Sequence, residues 1–370
     1  MLDIKRNLTT MTDFYELTMG NGYFQAGRKD QVTYFDVFFR DVPDKGGFAV
    51  CAGLSQIIDY IKNLHFDEED IAYLRSKNLF SDEFLDYLRN FHVSGDIWAI
   101  PEGTPSFPRE PVVTVRAKAI EAQLIETFTL LTINHQSLIA TKANRICRAA
   151  QGRTVLEFGS RRAQGTDGAI SGARAAYIGG CKGTACTISD QLYGVPAGGT
   201  MAHSWVQMFD SQYEAFKTYC EIYPTNATLL VDTYNVLKSG VPDAIRAFNE
   251  VLKPLGIKKC GIRLDSGDIA YLSREARKML LVRALCPSPS DGTACPRRTY
   301  VNQITAMPRF CPMIKPVNGI HSLQDGSILV GLRQCQGLLI NTRKVFDALY
   351  ARLRMTCKRN NEIIINIINA

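Results

Sequence analysis

Nowhere in the 370 residues is there an apolar run long enough to span a bilayer, and the opening Met-Leu-Asp-Ile-Lys-Arg-Asn lacks the apolar centre of a secretory leader. Both absences make a cytoplasmic protein without membrane contact the expectation. The 11 cysteines never fall into paired metal-type spacings; Cys181 and Cys186 are too isolated to suggest zinc, so reduced thiols are expected. Neither a Gly-x4-Gly-Lys-Ser/Thr loop nor a GxGxxG fingerprint occurs, which leaves nucleotide binding of the P-loop or Rossmann kind without support. A nucleic-acid footprint is missing too. Although the formal net charge is +7, residues 281–370 hold 12 Lys+Arg against 4 Asp+Glu, leaving 31 and 32 of the totals of 43 and 36 to residues 1–280. The body is nearly neutral, and no nucleic-acid partner is expected.

What is present is a chain of ordinary globular composition, 46% hydrophobic and 21% charged, long enough for two domains. Residues 11–25 open with Thr12 or Asp13 as a helix cap and carry Phe14, Tyr15, Tyr23 and Phe24. Residues 31–39 read as a strand. Helical spacing follows at 49–64, 68–77 and 82–90, then strands at 95–100 and 111–116 and a long helical pattern over 119–150. This order predicts an α+β first domain over residues 1–150.

From Thr154 the rhythm becomes short strand, turn, helix, strand, with strands expected at 154–158, 184–187, 199–202, 228–231 and 261–264. Helices are expected at 168–177, 189–193, 212–220, 242–252 and 269–280. Such alternation implies right-handed crossovers and a parallel sheet, so residues 151–280 are predicted to form an irregular, incomplete α/β barrel. The fold class is therefore α/β. Residues 281–370 change texture, being rich in Pro, Cys and Arg with little periodicity, and are expected to form a poorly ordered tail that does not complete the barrel. The uncharged Ile-rich stretch 363–368 adds an aggregation-prone segment.

Each expected strand ends in residues capable of chemistry. Phe-Gly-Ser-Arg-Arg follows the first at 158–162, His203 and Ser204 the third, and Asp-Thr-Tyr-Asn the fourth at 232–235. Arg263 and Asp265 bracket the end of the last. Any one of these could be a cap or a surface ion pair, and His203 alone could equally cap the next helix. Together, at successive strand ends, they would converge on one mouth suited to a phosphorylated anion, because arginines match phosphate oxygens and carboxylates can hold accompanying Mg²⁺.

Five motifs then carry a resemblance. Thr-Asp-Phe-Tyr-Glu-Leu-Thr-Met at 12–19, Glu-Phe-Gly-Ser-Arg-Arg at 157–162, Gly-Thr-Met-Ala-His-Ser-Trp at 199–205, Asp-Thr-Tyr-Asn at 232–235 and Gly-Ile-Arg-Leu-Asp-Ser-Gly-Asp at 261–268 resemble nicotinate phosphoribosyltransferase over residues 5–280. The resemblance implies a homodimer with shared sites that makes nicotinate mononucleotide from nicotinate and phosphoribosyl pyrophosphate, with Mg²⁺ and with ATP as co-substrate. It places Phe158 on one face of the pyridine ring and Tyr15 of a partner subunit on the other. Arg263 would meet the nicotinate carboxylate, Arg161 the sugar phosphate region and Asp265 the ribose or its metal, with Thr184 and Ser204 also lining the substrate. His203 matches a histidine phosphorylated by ATP, oriented by Asp232. Ala185 stands where nicotinamide-using relatives carry an aspartate, which favours the acid over the amide; a nicotinamide or quinolinate substrate remains the alternative. After residue 280 the family's Gly-rich 5′-phosphate turn is missing, so a truncated, inactive member is the other alternative.

Overall fold

The computed structural model describes residues 7–42 and 46–283, together with the backbone of a few short strands beyond them. The chain divides into two compact units, the first built from residues 1–151 and 163–181 and the second from 152–162 and 182–305.

In the first unit, α1 (Phe14–Gln25) is followed by β1 (Val32–Phe38), β2 (Ala49–Val50), α2 (Leu54–Asn63), α3 (Glu68–Ser76) and α4 (Asp82–Arg89). Then come β3 (Asp96–Ala99), β4 (Pro105–Ser106), β5 (Pro111–Lys118), α5 (Ala119–Leu124), α6 (Glu126–Ala149) and α7 (Gly165–Ile178). Strands β1, β5 and β3 form an antiparallel sheet with β5 in the centre. Its alternation sends Val113, Val115 and Ala117 inward and Thr114 and Arg116 outward. The inner face packs on Leu17, Phe84, Leu85, Leu88, Ile120 and Leu124. Each fully buried side chain of this kind contributes about 1.5–3 kcal/mol. Two expectations need correcting here. Residues 49–50 are a strand, because Gly53, at φ +109°, reverses the chain before α2 begins. The long 119–150 helix is broken at Ile125.

The second unit contains α8 (Thr187–Tyr193), α9 (His203–Gln207), α10 (Gln212–Ile222), β6 (Thr228–Leu230), α11 (Val241–Ala247), β7 (Gly261–Leu264), α12 (Ile269–Arg283) and β8 (Thr299–Val301). Strands β6, β7 and β8 are parallel, in register Leu229↔Ile262↔Thr299. Single parallel bridges join Glu157 to Thr184 and Thr184 to Ala197. The parallel architecture is thus present, with a core of Phe216, Leu229, Leu230, Val231, Phe248 and Leu264. The expected strands 154–158 and 184–187 shrink to one paired residue each, and 199–202 pairs with nothing among the described residues. Residues 242–252 are not one regular helix, since π-helical turns at Val236–Gly240 and Phe248–Leu252 flank α11. β8 lies within the expected tail and adds one strand to the parallel sheet beside β7. Three further short strands, β9 (His321–Ser322), β10 (Arg333–Cys335) and β11 (Leu338–Ile340), form an antiparallel sheet of order β10-β11-β9. The remaining expectations for the tail, including the segment 363–368, lie outside the described residues. Among the described residues no helix is long and apolar enough to cross a membrane.

Candidate active site

The C-terminal ends of β6 and β7 are neighbours because the strands run parallel, so the residues that follow them meet. Arg263, the third residue of β7, donates from Nη2 to Asp265 Oδ2 at 2.9 Å and from Nη1 to Thr200 Oγ1 at 3.2 Å and the Met201 carbonyl at 3.3 Å. Asp232, beyond β6, accepts from the Asp265 backbone N–H at 3.0 Å and from Ser266 Oγ at 2.6 Å. The Arg263 and Asp265 side chains are only 11% and 17% exposed, so their pairing occurs out of bulk water, where charge-assisted bonds are strong.

His203 opens α9 instead of ending a strand, its predecessor Ala202 being the extended residue before the helix. Its Nδ1 faces Thr233 Oγ1 at 3.2 Å, and its Nε2 lies 3.8 Å from Asp265 Oδ2. The carboxylate beside the imidazole is therefore that of Asp265, whereas Asp232 braces the Asp265 backbone. The imidazole is 41% exposed, which leaves it accessible to a reacting group.

On the neighbouring bridged segments, the buried Glu157 accepts from Thr184 Oγ1 at 2.6 Å and from the Gly159 N–H. Burial pushes its carboxyl above the usual range, against the lowering effect of those two donors. Thr184 is fully buried, and its hydroxyl also accepts the Cys186 N–H at 2.9 Å. That hydroxyl is engaged within the protein, so Thr184 shapes the site through Glu157. Phe158 is half-buried, while Arg161, in the 3-10 turn Ser160–Arg162, and Ser204 are exposed. Tyr15 belongs to the first unit and is 47% exposed. It follows the N-terminal end of α1, where Glu16 is buried and accepts from Thr12 Oγ1 and, at 2.7 Å, from Thr127 Oγ1.

Among the described residues of the second unit, five buried polar atoms have no hydrogen-bond partner: Gln212 Oε1 and, around the strand-end cluster, Ser160 Oγ, Asp232 Oδ1, Arg263 Nε and Asp265 Oδ1. Unmade hydrogen bonds of this kind cost about 1–3 kcal/mol each, and a cluster of them at strand ends marks groups kept for something other than folding. The chemistry available is a guanidinium donor for a carboxylate or phosphate, carboxylate oxygens for a hard cation, and an accessible imidazole. Residue-by-residue reading of the sequence missed Glu157, Thr233 and Ser266, which act by holding others. Their signal was membership of the motifs at 157–162, 232–235 and 261–268.

A family model described as the nicotinate phosphoribosyltransferase N-terminal domain matches residues 10–134. The chain is 45% identical over 271 residues to a nicotinate phosphoribosyltransferase of Mycobacterium tuberculosis, covering 73% of this chain and 57% of that protein. It is 43% identical over 276 residues to the nicotinate phosphoribosyltransferase of Bacillus subtilis, covering 74% and 55%. The crystal structure of human nicotinic acid phosphoribosyltransferase superposes with a TM-score of 0.67 at 30% identity, over 73% of this chain and 64% of that one. The chain thus spans little more than half the length of the curated relatives it matches. Over the matched part of its length, it belongs to the nicotinate phosphoribosyltransferase family.

Proposed function

We propose that the strand-end cluster performs phosphoribosyl transfer to nicotinate, giving nicotinate mononucleotide and pyrophosphate from nicotinate and phosphoribosyl pyrophosphate with ATP as co-substrate. The observation that carries the reading is the half-buried Arg263–Asp265–Asp232 assembly beside an accessible His203, with unpartnered polar atoms on all three assembly members. Arg263 Nε is a free donor for the nicotinate carboxylate. Phe158, with Tyr15 of a second copy in a homodimer, would sandwich the pyridine ring and hold its nitrogen below the ribose C1, an effect of orientation.

Breaking the bond between C1 and pyrophosphate builds positive charge on the sugar and negative charge on the leaving group. Arg161, which is exposed three residues after Phe158, would neutralise phosphate oxygens, and the exposed Ser204 would donate to them. Asp232 and Asp265 each keep one buried oxygen without a partner, a donor set that fits Mg²⁺, which takes one or two carboxylates and completes its shell with substrate phosphates and water. Bound Mg²⁺ would supply charge neutralisation at the departing pyrophosphate. His203 is the acceptor of the ATP phosphoryl group, with Thr233 and Asp265 fixing the ring. Ala185, which is exposed, puts no carboxylate in the way of a nicotinate anion.

The competing reading is a family member unable to hold the ribose 5′-phosphate, because residues 281–370 carry no Gly-rich turn of the family's kind. Steady-state formation of nicotinate mononucleotide by the full chain, with and without ATP, separates the two. ATP-stimulated product supports transfer; a folded chain that binds nicotinate but makes none supports the alternative.

A further inference from the structure

In the first unit, α7 ends against α6. Gly180, at φ +113°, donates its N–H to Tyr177 O at 3.0 Å, and Cys181 donates to Ala176 O at 3.0 Å, closing α7 with a left-handed cap. Two glycines allow this turn to lie directly on α6. A Cβ at Gly179 would stand 2.4 Å from the Ala140 carbonyl oxygen and 2.8 Å from the Ala143 Cβ, and one at Gly180 would stand 3.4 Å from the Cys147 Cβ. Asn144 Nδ2 fastens the turn by donating to the Gly179 carbonyl at 3.3 Å. The result is that Cys181 is held against Cys147, with the two sulfur atoms 3.9 Å apart.

We propose that Cys147 and Cys181 form an oxidative modification site that a peroxide converts to an intramolecular disulfide. The partners are already in place: α6 carries one, the fastened cap of α7 carries the other, and closing from 3.9 Å to the bonded distance of about 2.0 Å asks for side-chain rotation and a small backbone adjustment. Cys147 is half-buried, whereas Cys181 is 1% exposed, so Cys147 is the thiol that peroxide reaches first. Its thiolate attacks one peroxide oxygen, the O–O bond breaks, and hydroxide leaves to give a sulfenic acid on Cys147. The Cys181 sulfur then displaces the sulfenic hydroxyl, forming the S–S bond. In total two thiols are oxidised and hydrogen peroxide is reduced to two waters. Cys147 lies in the last turns of α6, whose negative end disfavours a thiolate, so the reaction is slow at neutral pH and rises about tenfold per pH unit below the thiol pKa. The disulfide ties residue 181 to α6 three residues before Thr184.

The test uses the full chain, treated with hydrogen peroxide at pH 7 and pH 8, quenched with an alkylating agent, and mapped by non-reducing peptide mass spectrometry. The expected result is a linked pair of peptides containing Cys147 and Cys181, 2 Da lighter than the two thiol peptides, formed faster at pH 8 and reversed by dithiothreitol. Cys147→Ser should leave Cys181 unoxidised, and Cys181→Ser should trap Cys147 as a sulfenic acid that a dimedone probe labels; circular dichroism verifies that both variants fold. Recovery of both peptides as separate alkylated thiols, after peroxide has oxidised other cysteines such as the half-buried Cys260, would overturn the proposal. So would a dominant linkage of either thiol to a different cysteine.

Discussion

The buried Glu16 makes stability depend on pH in a direction the structure dictates. Burial, with Glu126 and Asp13 nearby, pushes its carboxyl from 4.5 up to about 7, although the Thr127 hydroxyl bonded to it acts the other way. A carboxyl raised in the folded state prefers to be protonated there, so its favourable contribution is complete below pH 4.5 and is lost as pH rises through about 7. The gap amounts to roughly 3 kcal/mol. Glu16→Gln keeps the side chain neutral at every pH, and the hydroxyls of Thr12 and Thr127 can turn to satisfy the amide. Urea unfolding of both proteins at pH 5, 6, 7 and 8 isolates the term, because other titrating groups cancel in the difference. The variant should gain roughly 2–3 kcal/mol relative to the parent between pH 5 and pH 8. A difference that stays constant within about 0.5 kcal/mol would refute a near-neutral buried carboxyl at Glu16.

Other outcomes follow from the second unit. Asp265→Asn weakens the half-buried pair with Arg263 at 2.9 Å and should destabilise the fold by about 1.5–3 kcal/mol in urea unfolding, because it removes a charge-assisted bond and the counter-charge of a largely shielded guanidinium; a loss below about 1 kcal/mol would show that Thr200 and Met201 suffice. Glu157→Ala strands the Gly159 N–H and the Thr184 hydroxyl and should cost about 2–3 kcal/mol. Glu157→Gln should cost under about 1 kcal/mol, since the hydroxyl can reverse. Equal losses in the two variants would contradict the hydrogen-bonded clamp. His203→Ala should abolish ATP stimulation of nicotinate mononucleotide formation and leave an ATP-independent residue; acid-labile phosphate recovered on that variant after incubation with labelled ATP would remove His203 from the role.

The strand 228–231 was legible as a short apolar run and reappears as the fully buried β6, whereas 261–264 was legible from Ile262 and Leu264, the two buried residues that alternate along β7. Residues 199–202 misled the reading because small residues before a histidine resemble a strand end, yet a Cβ at Gly198 or Gly199 would meet nothing within 4 Å. That backbone is not packed in a sheet. The π-helical turns at 236–240 and 248–252 gave no signal in the sequence; at the first, Gly240 packs so closely that a Cβ there would stand 1.9 Å from the Val231 carbonyl oxygen, a closeness no local pattern reports. Of the site, Arg263, Asp265 and Asp232 could be read from strand ends and His203 from its motif, but not which carboxylate meets which base. The displacement of His203 onto α9 puts Asp265 beside it, and only the parallel register of β6 and β7 fixes that.

The most direct test of the site is calorimetric titration of the full chain with nicotinate, nicotinamide and quinolinate, repeated on Arg263→Met. If Arg263 meets the pyridine carboxylate, nicotinate binds in preference to nicotinamide, and the variant loses about 10- to 150-fold in nicotinate affinity, the equivalent of a charge-assisted bond of about 1.5–3 kcal/mol. Nicotinate binding unchanged in a folded Arg263→Met protein, or preference for the amide, would contradict the account.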